Sequence, residues 1–262
     1  MSCLAEQVKI LVEEAEEDNL GVKVKRERWS RWYTCSLCEQ NYHGVVQCAL
    51  GWACWKTYLG RPEKDKTRGM AMTQLGNGLS VTNLQADALT VGEAELAMMR
   101  RIGDSEHNIL ITQGNLAITY QALGRLEDAI LVDRDVYLGR LKLSGEEDEN
   151  TMIAALNYAI DLRGLESSEE GKALFRKTMP VARRVLGESR VLTLKMRTTY
   201  ARTLYENDGA TLEDLHEAVI TLEKTERAAR RVLGSAHPFV GATEQSLRSV
   251  REVLRAREAP VA

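Results

Sequence analysis

The chain has few of the residues that build β-structure. Of its 262 residues, four are prolines and two are phenylalanines. Because aromatic side chains are enriched in strands, this shortage favours a helical array over a β-sandwich. A membrane helix needs about 18 consecutive apolar residues, and no such run occurs. Charged residues interrupt the N-terminus from Glu6 onwards, so the sequence predicts no secretory signal peptide there.

The net charge and the positions of the cysteines exclude further classes of protein. The formal net charge is −3, which is too small to imply an acidic or basic partner for the whole chain. Four of the five cysteines lie between Cys35 and Cys54. A disulfide framework would spread its cysteines through the fold, whereas a tight cluster is typical of a metal site or of buried thiols in a reducing compartment. We therefore predict a cytoplasmic or nuclear protein.

A repeat of 42 residues organises most of the chain. Gly103, Gly145 and Gly187 are 42 residues apart, and Gly234 follows after 47. The same step separates three alanines, Ala117, Ala159 and Ala201. The run Ala-Arg-Arg-Val-Leu-Gly occurs twice, ending at Gly187 and again at Gly234. A fixed period of this size indicates an array of helix pairs, in which each unit buries its apolar face against its neighbours.

The repeat and the flanking composition predict an all-α chain of four segments. They are an N-terminal helix at 1–21, a Trp- and Cys-rich segment at 22–59, a charged linker at 60–69 and the array at 70–257. The array is predicted as units 70–106, 107–148, 149–189 and 190–236, followed by a capping helix at 237–257. The additional five residues of the last unit fall in its inner turn, where Thr211 and Asp214 are expected to cap the next helix.

The cysteine cluster carries the clearest chemical spacing, Cys-x2-Cys-x4-His-x4-Cys. The candidate zinc ligands are Cys35, Cys38, His43 and Cys48, with Cys54 as an alternative fourth ligand. The spacing resembles that of zinc knuckles, although Glu39 and Tyr42 occupy positions where knuckles have glycine. The alternative is a cysteine-rich core, since a buried free cysteine packs as a small hydrophobe. A catalytic pair of Cys38 and His43 would lack a visible third member.

Basic residues precede the cluster, and tryptophans lie among them. Arg26, Arg28, Trp29 and Trp32 are of the types that bind single-stranded nucleic acid by charge and stacking. The run is short and the rest of the chain is not basic, which argues against nucleic acid. These residues nevertheless define an alternative function, a zinc-dependent recognition module at residues 23–58 that binds protein or nucleic acid and has the array as a handle.

The second unit carries a family resemblance. The segments Asn115-Leu-Ala-x-x-Tyr120 and Leu123-Gly-Arg-Leu-Glu-Asp-Ala129, with the later joint Leu233-Gly-Ser-Ala-His-Pro238, resemble the tetratricopeptide repeat (TPR) of kinesin light chains. The resemblance covers residues 70–257. It implies a right-handed superhelical array of antiparallel helix pairs, in which the first helix of each pair lines a concave groove.

The same resemblance implies a binding site for extended peptides. Asn115 and Asn157 match the groove asparagines of that family, and Tyr120, Arg163 and Arg197 are expected beside them. The alternative role of both asparagines is a hydrogen bond between adjacent helices. Phosphate-binding loops, H-E-x-x-H and nucleophile elbows do not occur, so no enzyme is predicted. The predicted function is a non-catalytic scaffold for a protein or peptide partner; the sequence does not indicate an oligomeric state.

Overall fold

The computed structural model describes residues 2–164 and 168–258. Within these ranges, every secondary-structure element longer than an isolated bridge is a helix. The helices are α1 Ser2–Glu17, α2 Val22–Ser30, α3 Gly44–Tyr58, α4 Lys66–Ser80, α5 Gln85–Ile102, α6 Glu106–Ala122, α7 Leu126–Ser144, α8 Glu149–Gly164, α9 Ser168–Leu186, α10 Val191–Tyr205, α11 Leu212–Leu233 and α12 Pro238–Glu258. An isolated antiparallel bridge joins Thr34 and Asn41. The chain divides into two compact units, Met1–Arg125 and Leu126–Ala262.

In the N-terminal unit, α3 packs on α4, α4 on α5 and α5 on α6. The crossing of α3 and α4 is made close by two glycines. A Cβ atom added to Gly51 would lie 2.7 Å from the Gln74 carbonyl oxygen, and one added to Gly78 would lie 2.9 Å from the Cys48 Cα atom. Because real Cβ contacts are longer, only glycine permits the two backbones to approach this closely. The close packing of α3 on α4 outweighs the poor helix propensity of glycine.

The tryptophans of the N-terminal unit build its core. Trp29, Trp32 and Tyr58 form an aromatic cluster with ring centroids 5.6–6.5 Å apart. Val8 and Val12 of α1 pack in the same core cluster. Arg61 holds this end of the unit together, because its guanidinium lies 2.7 Å from the Glu16 carboxylate and 3.4 Å from Asp65.

The C-terminal unit is a continuous series of helix pairs, with each helix from α7 to α12 packed on the next. Four alanines lie at these crossings and are fully buried: Ala129, Ala159, Ala201 and Ala218. At the position equivalent to Ala129, a Cβ atom on Gly171 would lie 3.2 Å from the Thr203 methyl group. Small residues therefore set the spacing of these helices.

The glycines of the repeat end the second helix of each pair. Gly103, Gly145, Gly187 and Gly234 follow α5, α7, α9 and α11, and all four have positive φ values of 69° to 88°. Glycine enters this region without steric cost and is the usual residue at helix C-termini. Thr211 begins α11 with a complete capping box, since its side chain accepts from the Asp214 N–H and Asp214 accepts from the Thr211 N–H.

The segment boundaries differ from the sequence prediction in two places. Helix α4 begins at Lys66, inside the predicted linker at 60–69, because the Asp65 side chain accepts from the Thr67 N–H and caps the helix. Helix α3, from the predicted Trp- and Cys-rich segment, packs directly on α4 of the predicted array. None of the helices in the described ranges is long and apolar enough to cross a membrane.

Candidate functional site

The N-terminal unit contains a groove of about 550 Å³ between α4, α5 and α6. The segment that joins α2 to α3 closes one side with Tyr33, Tyr42 and His43. Five carboxamide side chains line the groove: Asn41, Gln47, Gln74, Asn77 and Asn115. Hydroxyl groups of Thr73, Ser80, Thr112 and Thr119 add further polar atoms. The lining is therefore rich in groups that both donate and accept hydrogen bonds.

The repeat places Asn115 in this groove. It lies on α6, where its side chain is exposed, and its equivalent on α4 is Thr73, 42 residues earlier. One helical turn after Thr73, Asn77 is exposed on the same wall of the groove. Sequence reasoning missed Asn77, because it compared only positions one repeat apart. The i+4 neighbour of Thr73 was the signal available in the sequence.

A second cavity of about 340 Å³ adjoins the first. The two cavities share the side chains of Thr73, Glu95 and Thr112. Apolar side chains of Met98, Met99, Ile102 and Ile111 form part of its wall. Residues of α4, α5 and α6 thus line one polar and one more apolar compartment, and Glu95 lies where they meet.

Glu95 is a buried carboxyl group, with 7% of the residue exposed. The Thr73 hydroxyl donates a hydrogen bond to it at 2.5 Å. Burial disfavours the charged form and raises the pKa of Glu95 to about 7, although the Thr73 hydrogen bond opposes this shift. The periodicity contained no indication of this site, since a glutamate within a helix is usually solvated.

Tyr120 does not line the groove, although it lies on the same helix as Asn115. Its hydroxyl donates to Glu93 at 3.1 Å, and the Arg125 guanidinium stacks over its ring at 4.6 Å. Tyr120 therefore links α6 to α5 and to the end of the unit in this conformation. Its predicted contact with a peptide stays a prediction.

The other three predicted groove residues belong to the C-terminal unit. Arg163 of α8 forms an ion pair with Glu206 at 2.5 Å, and Arg197 of α10 forms one with Glu188 at 3.2 Å. Burial lowers the pKa of Arg197. Asn157 is partly buried on α8. Both arginines thus have protein partners, and the part these three residues play in binding stays a prediction.

The candidate zinc ligands do not converge. Cys35 and Cys38 share a turn in which the backbone N–H groups of Cys38 and Leu37 lower the pKa of Cys35. His43 is exposed at the start of α3, Cys48 packs against Leu75 and Leu79, and Cys54 is fully buried beside the tryptophans. In the described ranges no three His, Cys, Asp or Glu side chains are arranged to hold a metal ion. The residues do not fit a tetrahedral site, and zinc binding stays a prediction from spacing.

The tryptophans predicted as stacking surfaces belong to the core. Trp32 is 1% exposed and Trp29 is 7% exposed, both against Tyr58. Arg28 is also engaged, because it donates to the Leu11 carbonyl and to Glu14. In this conformation Trp32 presents no face for a nucleic-acid base, so its interpretation as a base-stacking residue is wrong. Trp29 packs in the same aromatic cluster and also lies at the wall of the groove, and its stacking role stays a prediction.

The helix pairs, the glycine C-caps and the small residues at the crossings define a TPR-like helical repeat protein. No family model and no curated protein matches the sequence. Among solved structures, a putative kinesin light chain from Podosopora anserina with nearly identical TPR-like repeats has a TM-score of 0.61 at 15% identity, covering 87% of this chain and 96% of that one. A single-substitution variant of the same protein gives 0.62 at 15% identity, covering 88% and 98%.

A third similar structure is BtubC (BKLC) from P. vanneervenii. It has a TM-score of 0.62 at 14% identity and covers 82% of this chain and 93% of that one. Identities this low show the fold alone. At that level the predicted all-α repeat fold and its resemblance to TPR repeats of the kinesin-light-chain type are confirmed.

Proposed function

We propose that the chain is a non-catalytic scaffold that holds an extended segment of a protein partner in the groove of the N-terminal unit. The observation that carries this proposal is the set of carboxamides on the groove wall, with Asn77 on α4 and Asn115 on α6. A carboxamide donates through its NH2 group and accepts through its oxygen. Side chains of this type can bond the N–H and C=O groups of an extended peptide without reading its sequence.

The surroundings of the two asparagines support the same function. Val81 and Ile118 line the groove and are 48% and 53% exposed, so apolar side chains of a bound segment would find partners beside the amides. Repeat arrays of helix pairs commonly recognise other proteins through such surfaces. Exposed apolar groups in a polar groove are also a usual feature of interaction sites.

The test is retention of a library of short degenerate peptides on the immobilised protein. Replacing Asn77 and Asn115 together by alanine should reduce retention about tenfold, because each substitution removes hydrogen bonds worth about 0.5–1.5 kcal/mol. Both residues are exposed, so the free energy of unfolding of the double variant should lie within about 0.5 kcal/mol of the wild-type value. Circular dichroism and a urea titration check that stability.

Asn157→Ala is the matched control, because it removes the same group from the corresponding helix position one repeat later. Retention that survives this change but not the double change supports the N-terminal groove. The opposite pattern, with loss only in Asn157→Ala, would move the site to the C-terminal unit. Retention that none of the variants alters would contradict asparagine-mediated binding.

A further inference from the structure

The groove of the N-terminal unit has an uneven charge distribution. Among the described residues that line its larger cavity, Glu95 is the one carboxylate, and neither lysine nor arginine occurs. His43 lies at the edge of the same cavity. A ligand in this cavity therefore meets uncharged hydrogen-bonding groups and a single acidic side chain.

Glu95 is held without a cation. Thr73 is the one hydrogen-bond partner that the described residues give it, and burial rather than a neighbouring charge dominates its electrostatics. Keeping an ionised carboxylate in such a place is unfavourable unless a positive charge approaches. A cationic group that enters the groove would remove this cost, so Glu95 is pre-positioned for a counter-ion.

The smaller cavity could accommodate the stem of a long cationic side chain. Met98 and Met99 lie in its wall and are almost fully buried, while Ile111 is exposed at its surface. Lysine and arginine pair an aliphatic stem with a charged head, and they bury the stem along apolar surface. The boundary between the two cavities offers a carboxylate for the charged head and apolar side chains for the stem, because Glu95, Met98 and Met99 are neighbours on α5.

Among the described acidic side chains that line the smaller cavity, Glu95 is the one that can pair with a cation of the ligand. The other acids there already have partners in the protein: Glu63 pairs with Arg101, Asp65 with Arg61, and Asp104 accepts from Asn108. Lys64 and Lys66 also line this cavity. Neither lysine forms an ion pair or hydrogen bond with Glu95, whose one described partner is Thr73.

We propose that the segment bound in the N-terminal groove carries a lysine or arginine whose charged head pairs with Glu95 and whose stem lies against Met98 and Met99. This inference rests on the proposed function, since it names the chemistry of the partner in the same groove. The carboxamides hold the backbone of the segment, and Glu95 selects one of its side chains. Charge-assisted hydrogen bonds are about twice as strong as neutral ones, so this contact supplies specificity.

The experiment compares pools of short degenerate peptides whose central residue is fixed as lysine, arginine, norleucine or glutamate. The wild-type protein should retain the lysine and arginine pools about tenfold better than the norleucine pool, with the glutamate pool lowest. Glu95→Gln should abolish this preference. The side chain keeps its size, and its amide oxygen can still accept from Thr73. Asp87→Asn is the control, because it removes one charge from an exposed position on the same helix.

A second measurement uses the wild type alone, so it does not depend on how a variant folds. Because the pKa of Glu95 is raised to about 7, the carboxyl is largely neutral at about pH 6 and largely ionised at about pH 8. The ratio of lysine-pool to norleucine-pool retention should therefore rise between these values. Lysine remains protonated throughout, and the norleucine pool corrects for every pH effect that does not depend on the charge of the peptide side chain.

The outcomes separate the two proposals. Equal retention of the lysine and norleucine pools, still dependent on Asn77 and Asn115, would overturn the cationic partner and leave the peptide groove intact. Absence of retention for every pool would overturn the groove itself. If spermidine bound in a Glu95-dependent way while no peptide pool did, the cation would be a free polyamine, which would also overturn the peptide source.

Discussion

Two aspartates meet inside the C-terminal unit, where α7 packs on α8. Asp133 is 1% exposed and Asp161 is 2% exposed. Burial, together with the neighbouring charge of Asp161, raises the pKa of Asp133 to about 8. An aspartate in an unfolded chain has a pKa of about 3.9, so the native state binds a proton there that the unfolded state has lost. The contribution of Asp133 to folding stability is therefore fully present below about pH 4 and is lost as the pH rises to about 8.

Asp133→Asn should weaken this pH dependence, because an amide cannot ionise. We expect the free energy of unfolding of the wild type to fall between about pH 5 and about pH 8 by on the order of 2 kcal/mol more than that of the variant. Urea denaturation of both proteins at each pH gives the difference, in which contributions from Glu95 and other shared groups cancel. Asp135→Asn, at an exposed position on the same helix, should retain the wild-type slope. Parallel curves for Asp133→Asn and wild type would refute the assignment.

At the residue scale, the sequence predicts positions better than contacts. Asn115 lies in the groove because the repeat fixes which side of α6 faces it. Glu95 was missed because its burial depends on the neighbouring helices. The cysteine spacing was misleading as a guide to geometry. Cys48 and Cys54 lie on α3 and pack in different clusters, whereas Cys35 and Cys38 lie in the preceding turn. Two thiols six residues apart on a helix lie on different sides of it, and a ligand spacing that assumes a turn does not account for this.

At the element scale, the repeat predicts the helix ends because each one depends on a local property of glycine. Glycine adopts the positive φ that follows α5, α7, α9 and α11 without strain. The repeated glycines of the sequence therefore mark these helix ends. The packing of α3 on α4 leaves no periodic signal in the sequence. It depends on Gly51, which approaches the Gln74 backbone, and on Gly78, which approaches the Cys48 backbone. The linker at 60–69 was predicted from its charged, proline-containing composition, although α4 begins within it at Lys66.

The neighbouring glycines of α4 give opposite predictions for alanine. Gly78→Ala would place a Cβ atom 2.9 Å from the Cys48 Cα atom and 3.0 Å from the Gln47 carbonyl oxygen, both of which are backbone atoms. We expect a loss of stability of about 1–3 kcal/mol from overpacking. Gly76→Ala meets only the Val91 methyl group at an ordinary 3.8 Å, so helix propensity should dominate and stabilise the protein by up to about 1 kcal/mol.

Thermal and urea denaturation of the two variants test this difference directly. The substitutions are chemically identical and lie two residues apart on one helix, so changes in the unfolded chain are closely matched. Equal stabilisation by both would mean that α3 and α4 do not approach through Gly78. Equal destabilisation would mean that α4 tolerates no side chain at either position, contrary to the ordinary contact that a Cβ atom at Gly76 would make with Val91.

At the scale of the whole molecule, the chain forms two compact units that each have their own core. The aromatic cluster of Trp29, Trp32 and Tyr58 belongs to the N-terminal unit. The cluster that contains Leu215 and Leu222 belongs to the C-terminal unit. The division after Arg125 falls inside the predicted repeat unit 107–148. The sequence period did not indicate this division, because the period describes the helix pair and not the number of contacts that each helix makes.

A fragment of residues 126–262 should therefore fold without the rest of the chain, whereas a fragment of residues 149–262 should be markedly less stable. The shorter fragment lacks α7 and with it the buried Val136 and the Tyr137 ring, which stacks on Tyr158 with centroids 6.4 Å apart. Burial of one such side chain is worth about 1.5–3 kcal/mol, so the two together predict a loss of about 3 kcal/mol or more. Circular dichroism during urea denaturation measures both fragments. A helical but non-cooperative 126–262 fragment would mean that its core needs the N-terminal unit, while equal midpoints would mean that α7 contributes little to the C-terminal unit.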